Sequence, residues 1–407
     1  MWNMRFLSAC RQHRALAWLW LIQMVSMGAM EMSGPFWTLH LQQSSRLTNE
    51  QLIWFGTIAY GGPMLTAMLC TPWWGRLGDR VGHRWMLMRA LLALTFTQFW
   101  VVFCTDPLWI LLIRLLQGAI AGFIAAAQAY GSTLTTREQR KQLMASLQIA
   151  TAVGSVMGPV AGGWIYQHLG FSAVNLLAAV LCAACLLATW ALLPATDNPS
   201  PQRGSDNQTD TALWQQGYMP GLLMGILLIQ AARMLPQSYY AIYVDQVLHQ
   251  PPGFTGFSYA MAAMGLCISA PFWAIWFSRQ SDRGVLRQVM VICLLSAGIL
   301  VLQSLGFSPS VFLLCRFAWG VFLGALLPVF YSQISANCHQ SQQGQALALG
   351  NSAAKAGALT GTLLGALLMA LISLKYLFLM VAVIYVLTAI YLFCMQQKNL
   401  LTDPFAT

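Results

Sequence analysis

A repeat carried inside apolar segments constrains this chain more than any other feature. Leu111-Leu112-Ile113-Arg114, with Gly118 after it, returns as Leu313-Leu314-Cys315-Arg316 with Gly320, an offset of 316 − 114 = 202. The row Gly154, Gly158, Gly162 returns as Gly357, Gly361, Gly365, with 357 − 154 = 203. A fainter echo is Asp79-Arg80, which reappears as Asp282-Arg283, with 282 − 79 = 203. Duplicated apolar segments predict two homologous membrane halves around a shared pathway.

Only 8% of the 407 residues are charged and 58% are hydrophobic, whereas a soluble chain carries roughly 25% charged residues. Crossing a hydrocarbon core takes about 20 apolar residues in a helix. Twelve such runs are present, at 15–39, 51–73, 85–105, 107–130, 142–166, 170–193, 218–244, 254–277, 286–307, 309–331, 343–370 and 374–395. Open sheet edges do not survive in lipid, and the runs lack the alternation of a barrel strand, so the expected fold is an all-α membrane protein. Between Pro194 and Gly217 the composition turns to Pro, Ser, Asp, Asn, Gln and Thr, the mark of a solvated connection. The expected division is a six-helix bundle over 1–193, a linker over 194–217, and a second six-helix bundle over 218–407.

The net charge of +10 is explained by topology. Fourteen of the 21 Lys and Arg fall on one side: Arg5, Arg11, Arg14, Arg76, Arg80, Arg84, Arg137, Arg140, Lys141, Arg203, Arg279, Arg283, Arg287 and Lys398. The opposite loops hold Arg46 and Lys375, so the positive-inside rule places both termini and the linker in the cytoplasm. No nucleic-acid partner is needed to account for the basicity. The opening apolar run is read as a retained first span, since it lacks a clear small-residue cleavage site. Most of the ten cysteines lie in spans and behave as small apolar residues; Cys182 and Cys185, though spaced CxxC, sit in an uninterrupted apolar helix. No HExxH, GxSxG, P-loop or cluster of metal ligands occurs, and the six histidines are scattered. Neither an enzyme, a cofactor nor a metal is expected.

Six ionisable residues fall within spans: Glu31, Arg89, Arg114, Arg233, Arg316 and Lys355. A charge at the bilayer centre costs about 2.5–3.5 kcal/mol on the insertion scale, so such residues face a wet cavity or a partner. Arg89, near a helix end, can snorkel to the interface. Glu31 and Arg233 stand at similar depth, 31 − 15 = 16 and 233 − 218 = 15 residues into their spans, and at nearly equivalent repeat positions, 233 − 31 = 202. Two readings stand: Glu31 carries a proton while Arg233 binds substrate, or the two form a static ion pair. Arg114, Arg316 and Lys355 make the interior electropositive, which favours an anionic cargo; the other role open to these cations is bonding to backbone carbonyls of neighbouring helices. Lys355 has no counterpart in the first half, where position 355 − 203 = 152 is Ala152. Trp37 near Glu31, with Gln230, Gln237, Tyr239, Tyr240 and Tyr243 around Arg233, can stack on and hydrogen-bond an organic ligand.

Three motifs add to the repeat. Gly154, Gly158 and Gly162 line one helix face and permit close approach, with Pro159 inviting a kink. Gly75-Arg76-Leu77-Gly78-Asp79-Arg80-Val81-Gly82-His83-Arg84 fills the connection between spans 2 and 3, where glycines allow a tight turn and Asp79 can cap a helix start. The third is Arg114-x-x-Gln117-Gly118 in span 4. Together they stand where the major facilitator superfamily carries its signatures, and over essentially its whole length the chain resembles the twelve-helix proton antiporters of that superfamily. The resemblance implies alternating access by rocking of two halves, with Glu31, Arg114, Arg233 and Arg316 on the cavity-lining helices 1, 4, 7 and 10. It further implies that Asp79 and Arg80 latch the cytoplasmic side and that Arg114 serves proton coupling. Two departures stand out: the second-half loop Ser278-Arg279-Gln280-Ser281-Asp282-Arg283 lacks two turn glycines, and span 1 carries Glu31 in Ala29-Met30-Glu31-Met32-Ser33-Gly34-Pro35 in place of the aspartate pattern of fourteen-helix drug exporters.

Among twelve-helix exporters the chain is similar to the multidrug efflux group and the siderophore exporters. The expected function is proton-driven export of an anionic metabolite such as a siderophore across the bacterial inner membrane. Efflux of hydrophobic or cationic drugs is the alternative, import of a nutrient acid by symport comes third, and a receptor or membrane enzyme last. Partners are a small-molecule substrate, protons and membrane lipid; the expected state is a monomer.

Overall fold

The computed structural model describes residues 2–44, 47–120, 122–136, 139–195, 219–280, 282–305, 308–336 and 343–402, and every regular element among them is helical. The expected linker lies outside the described residues from position 196 onward. The first sequence half comprises α1 (Trp2–Met32), α2 (Trp37–Ser44), α3 (Asn49–Val81), α4 (His83–Val101), α5 (Pro107–Ile120), α6 (Phe123–Leu134) and α7 (Arg140–Leu192). The second comprises α8 (Met219–Met234), α9 (Tyr240–Gln246), α10 (Pro252–Phe277), α11 (Asp282–Ser304), α12 (Pro309–Ala336), α13 (Gln343–Leu371) and α14 (Leu377–Thr402). Internal packing divides the chain into Met1–Ser205 with Pro251–Ala260, and Asp206–Gln250 with Met261–Thr407, so the first turns of α10 pack with the first unit.

Among the described residues, ten stretches are long and apolar enough to cross a membrane. One of them, Gln142–Leu192, contains two crossings, because Gly170 adopts φ 81° and interrupts α7 without any intervening loop. A further crossing is α4, whose 19 residues reach about 28 Å at 1.5 Å each. Its hydropathy is depressed by His83, Arg84, Arg89 and Gln98. Ten, one and one make twelve, and the chain is an all-α multi-pass membrane protein.

Helix starts follow local chemistry. Thr48 and Gln51 form a reciprocal capping box at α3, with Gln51 N donating to Thr48 Oγ1 at 3.3 Å and Thr48 N to Gln51 Oε1 at 3.0 Å. Both α5 and α12 begin with proline at the first helical position, which loses no bond there. Asp106 caps α5 by accepting from Leu108 N at 2.8 Å.

The motif from Gly75 to Arg84 departs from its expected form. α3 continues through Gly75, Gly78, Asp79 and Arg80 to Val81, and the turn shrinks to Gly82 alone, at φ 101°. One left-handed residue suffices because Gly82 N returns to Gly78 O at 2.9 Å, closing α3 as α4 begins. The backbone of Asp79 thus lies within α3.

Each unit contains a glycine ladder in which backbone meets backbone. A Cβ on Gly154, Gly158 or Gly162 of α7 would collide with the carbonyl oxygens of Met24, Gly28 and Met32 on α1. A Cβ on Gly357, Gly361 or Gly365 of α13 would meet those of Leu227, Ala231 and Leu235. The rungs correspond: 227 − 24, 231 − 28 and 235 − 32 are all 203. Small residues in these rows let backbones approach where lipid offers no hydrophobic drive for association. Gly162→Ala and Gly361→Ala should each lower the thermal unfolding midpoint in detergent, by the equivalent of about 1–3 kcal/mol for overpacking. Gly75→Ala, whose Cβ would meet nothing within 4 Å, should leave the midpoint unchanged or slightly raised. Equal midpoints for all three variants would contradict the ladder.

Candidate functional site

Three crossings break partway, and predicted charges sit beside the breaks. Glu31 is the penultimate residue of α1, followed by Ser33 and a 3₁₀ turn over Gly34–Phe36. Arg233 is the penultimate residue of α8, followed by Pro236 and a 3₁₀ turn over Gln237–Tyr239. Span 4 breaks between α5, which ends 120 − 114 = 6 residues after Arg114, and α6, with Gly122 at φ 97°, 122 − 114 = 8 residues after it. Around Arg316, by contrast, α12 is continuous. Non-helical backbone at membrane depth is tolerated where protein or water satisfies the freed polar groups. Broken helices of this kind hold substrate and coupling ions in transporters.

In the first unit the break is occupied by charge. The Glu31 side chain folds over it, its Oε2 lying 3.1 Å from where a Cβ on Gly34 would stand, and its own Cβ 3.0 Å from that of a substituted Gly158. The Tyr60 hydroxyl donates to Gly34 O, one of the carbonyls the break releases. Arg114 Nε donates to Ala59 O at 2.9 Å, another of its N–H groups donates to Gln117 Oε1, and the guanidinium carbon lies 4.6 Å over Trp37. Trp37 is itself buried and edge-on to Phe171 at 5.0 Å. Glu31, Tyr60 and Arg114 are within electrostatic range of one another. A carboxylate, a phenol and a guanidinium at one break make a group that can gain or lose a proton with its counter-charge beside it.

The second unit gathers cations and rings. Arg316 is 2% exposed, and its guanidinium carbon lies 4.6 Å from the Tyr240 ring and 4.7 Å from that of Trp319. Trp319 Nε1 donates to the Tyr385 hydroxyl oxygen at 3.3 Å. Tyr385 is within electrostatic range of both Arg233 and Arg316. Tyr240 and Tyr243 pack on Phe312 and Phe378, with Tyr243 edge-on to Phe378 at 4.8 Å. Gln237, in the turn, reaches back to Arg233 O at 3.5 Å.

Not every expected residue joins these groups. Lys355 is exposed on α13 and stands two positions before Gly357, the rung against α8, which at about 100° per residue turns it to the other side of the helix. Arg80 is exposed at the end of α3. The three α7 glycines act in packing against α1, while Pro159 turns its carbonyl toward Gly256 of α10. Sequence reasoning missed Tyr60 and Tyr385, which reach the charges through tertiary packing, and Trp319, which lies three residues after Arg316 on α12, 319 − 316 = 3. It also missed the breaks, although Pro35 and Pro236 trail Glu31 and Arg233 by 4 and 3 residues, 35 − 31 and 236 − 233. Among the described residues, no three His, Cys, Asp or Glu side chains are grouped so as to hold a metal.

Comparison with known proteins agrees with this architecture. The chain matches the Major Facilitator Superfamily over residues 19–282 and 222–404. It is 26% identical over 394 residues to the Staphyloferrin B transporter of Staphylococcus aureus (strain NCTC 8325 / PS 47), covering 95% of this chain and 93% of that one. It is likewise 26% identical over 375 residues to the Multidrug resistance protein MdtG of Dickeya zeae (strain Ech586), covering 91% and 92%. Among solved structures, the nucleoside transporter NupG superposes with a TM-score of 0.76 at 13% identity, over 94% of this chain and 98% of that one, a likeness of fold alone.

Burial separates two of the expected cargo contacts. Arg316→Lys, which loses a planar cation held beside two rings, should lower the unfolding midpoint by the equivalent of about 0.5–2 kcal/mol. Lys355→Ala should stay within about 0.5 kcal/mol of the unmodified chain. Thermal unfolding in detergent checks both, and the reverse order would contradict the placement of these cations.

Proposed function

The chain belongs to the major facilitator superfamily, and from that premise we propose that it is a proton-driven antiporter exporting a small organic anion across the bacterial inner membrane. It works as a monomer by alternating access, with both termini and the linker in the cytoplasm. The observation that carries this reading is the imbalance of interior charge. Among the described residues, Glu31 is the only acid away from the ends of a crossing, Glu50 and Asp245 standing next to span ends, and it lies in the first unit, whereas the second unit's crossings hold Arg233, Arg316 and Lys355. Buried positive charge in lipid calls for a counter-charge, and an anionic cargo supplies one.

In this reading Glu31 accepts a proton on a carboxylate oxygen from the outside and releases it to the cytoplasm. Arg114 steadies the ionised form and loses that partner when the proton arrives. Arg233, Arg316, Lys355, Trp37, Gln237 and Tyr240 serve the cargo; Lys355, exposed here, would do so in another state of the cycle. The connection from Gly75 through Gly78, Asp79 and Arg80 to Gly82 latches the cytoplasmic side, and Gly154, Gly158, Pro159 and Gly162 guide helix movement. A carboxylate-rich iron chelator fits the charge, and the name of the Staphylococcus aureus relative points the same way. The relatives named Multidrug resistance protein MdtG favour a second reading, efflux of hydrophobic or cationic compounds.

Mass spectrometry of the medium from cells with and without the gene, grown iron-poor and iron-rich, separates the two. An anionic chelator that disappears from the deletion strain's medium and accumulates inside its cells is the expected result. An unchanged secreted profile together with broad sensitivity to cationic drugs would overturn the anion reading.

A further inference from the structure

We propose that Tyr385 and Arg233 form an oxyanion subsite in the second unit that takes a carboxylate of the cargo; this rests on the anion-export reading above. The starting point is the role left to Arg316. Two rings lie close to its guanidinium carbon, Tyr240 at 4.6 Å and Trp319 at 4.7 Å, and only 2% of the residue is exposed. Besides any contact with cargo, Arg316 holds the two rings in place. One of those rings, Trp319, donates its N–H to the Tyr385 oxygen at 3.3 Å. A phenol that accepts such a bond keeps its own O–H to give elsewhere.

Among the described residues the Tyr385 hydroxyl donates to no acceptor, although the residue is fully buried. The half-buried Arg233 guanidinium likewise makes no hydrogen bond or ion pair among them. Helix packing brings these donors to nearby heights. Near the start of α8, Gly221 lies against Met395 of α14, and Tyr391 Oη donates to Gly221 O at 3.4 Å. Counting away from that contact, Arg233 is 233 − 221 = 12 residues along α8 and Tyr385 is 395 − 385 = 10 residues back along α14. Counted from Tyr391 instead, Tyr385 is 391 − 385 = 6 residues back, so at 1.5 Å per residue the two stand roughly 3–9 Å apart in height. Arg233 is also within electrostatic range of Tyr385.

Two convergent donors, one cationic, with no acceptor of their own match a carboxylate. It takes two charge-assisted hydrogen bonds and supplies the negative charge that the unit's crossings lack. An aliphatic or cationic ligand would leave both donors unmatched. Tyr385 is thereby a specificity-determining residue, selecting an acceptor-rich anion over a cation.

The test measures binding of citrate, as a polycarboxylate probe, to the purified full chain in detergent by calorimetry, with unfolding midpoints taken in parallel. The unmodified chain should bind citrate saturably and Arg233→Gln should not. Tyr385→Phe should weaken citrate roughly tenfold, the value of one charge-assisted hydrogen bond, with little change in midpoint. Trp319→Phe breaks the Trp319–Tyr385 bond from its other side while leaving the hydroxyl, and should bind citrate much as the unmodified chain does. If Arg233→Gln loses citrate while Tyr385→Phe keeps it, or if Tyr385→Phe and Trp319→Phe weaken it equally, the subsite is wrong and the anion reading survives. If Arg233→Gln binds citrate as tightly as the unmodified chain, or if the unmodified chain does not bind it, both fall.

Discussion

Backbone pressed on backbone is the contact from which the remaining features of each unit follow. The last rung of the α7 ladder sets Gly162 against the carbonyl of Met32, the final residue of α1, and the last rung of the α13 ladder sets Gly365 against the carbonyl of Leu235, just beyond the end of α8. Each helix gives way at that point, into the turns at Gly34–Phe36 and Gln237–Tyr239. Because no side chain separates the helices there, the residue before each break is held at fixed height and rotation. In one unit that residue is Glu31, in the other Arg233. A bulky residue on any rung would displace a carbonyl and, with it, the charge beside the break.

The two units resolve the problem of charge in lipid differently. Around Glu31 the first unit supplies its own compensation: Arg114 within electrostatic range, Tyr60 donating into the break, and the Trp37 face beneath the guanidinium. The second unit compensates Arg316 with the faces of Tyr240 and Trp319, interactions worth about 0.5–2 kcal/mol each when desolvated. That falls short of the several kcal/mol per ion that desolvation costs, and it leaves Arg233 to find its acceptor elsewhere. A duplicated scaffold has thus diverged at matched positions, with an acid in one half and a base in the other.

Much of this was legible in the residues. The offset of 203 between glycine rows marked the ladders, and the sparse interior charges marked Glu31, Arg114, Arg233 and Arg316. Depth along a helix follows from counting, and each of Glu31 and Arg233 stands at the penultimate position of its own helix. What counting does not give is rotation and long-range partnership. Tyr60 and Tyr385 reach the charges from helices far away in sequence, and nothing in their own neighbourhoods distinguishes them from interfacial aromatics; Trp319, three residues after Arg316 on α12, was readable from helical spacing. Lys355 appeared special through lacking a repeat counterpart, but its rotation two residues from Gly357 turns it from the α8 contact. The connection from Gly75 to Arg84 looked like a loop because it is rich in glycine and charge; a helix tolerates both, and only Gly82 needed a left-handed backbone.

The most direct test of proton coupling at Glu31 is gradient-dependent export of the secreted anion by cells carrying Glu31→Gln, with the amount of protein in the membrane measured alongside. Glutamine keeps the size and hydrogen-bonding capacity of the side chain but cannot exchange a proton. The account predicts normal insertion and no gradient-dependent export. Export that still follows the proton gradient in this variant would remove Glu31 from the mechanism.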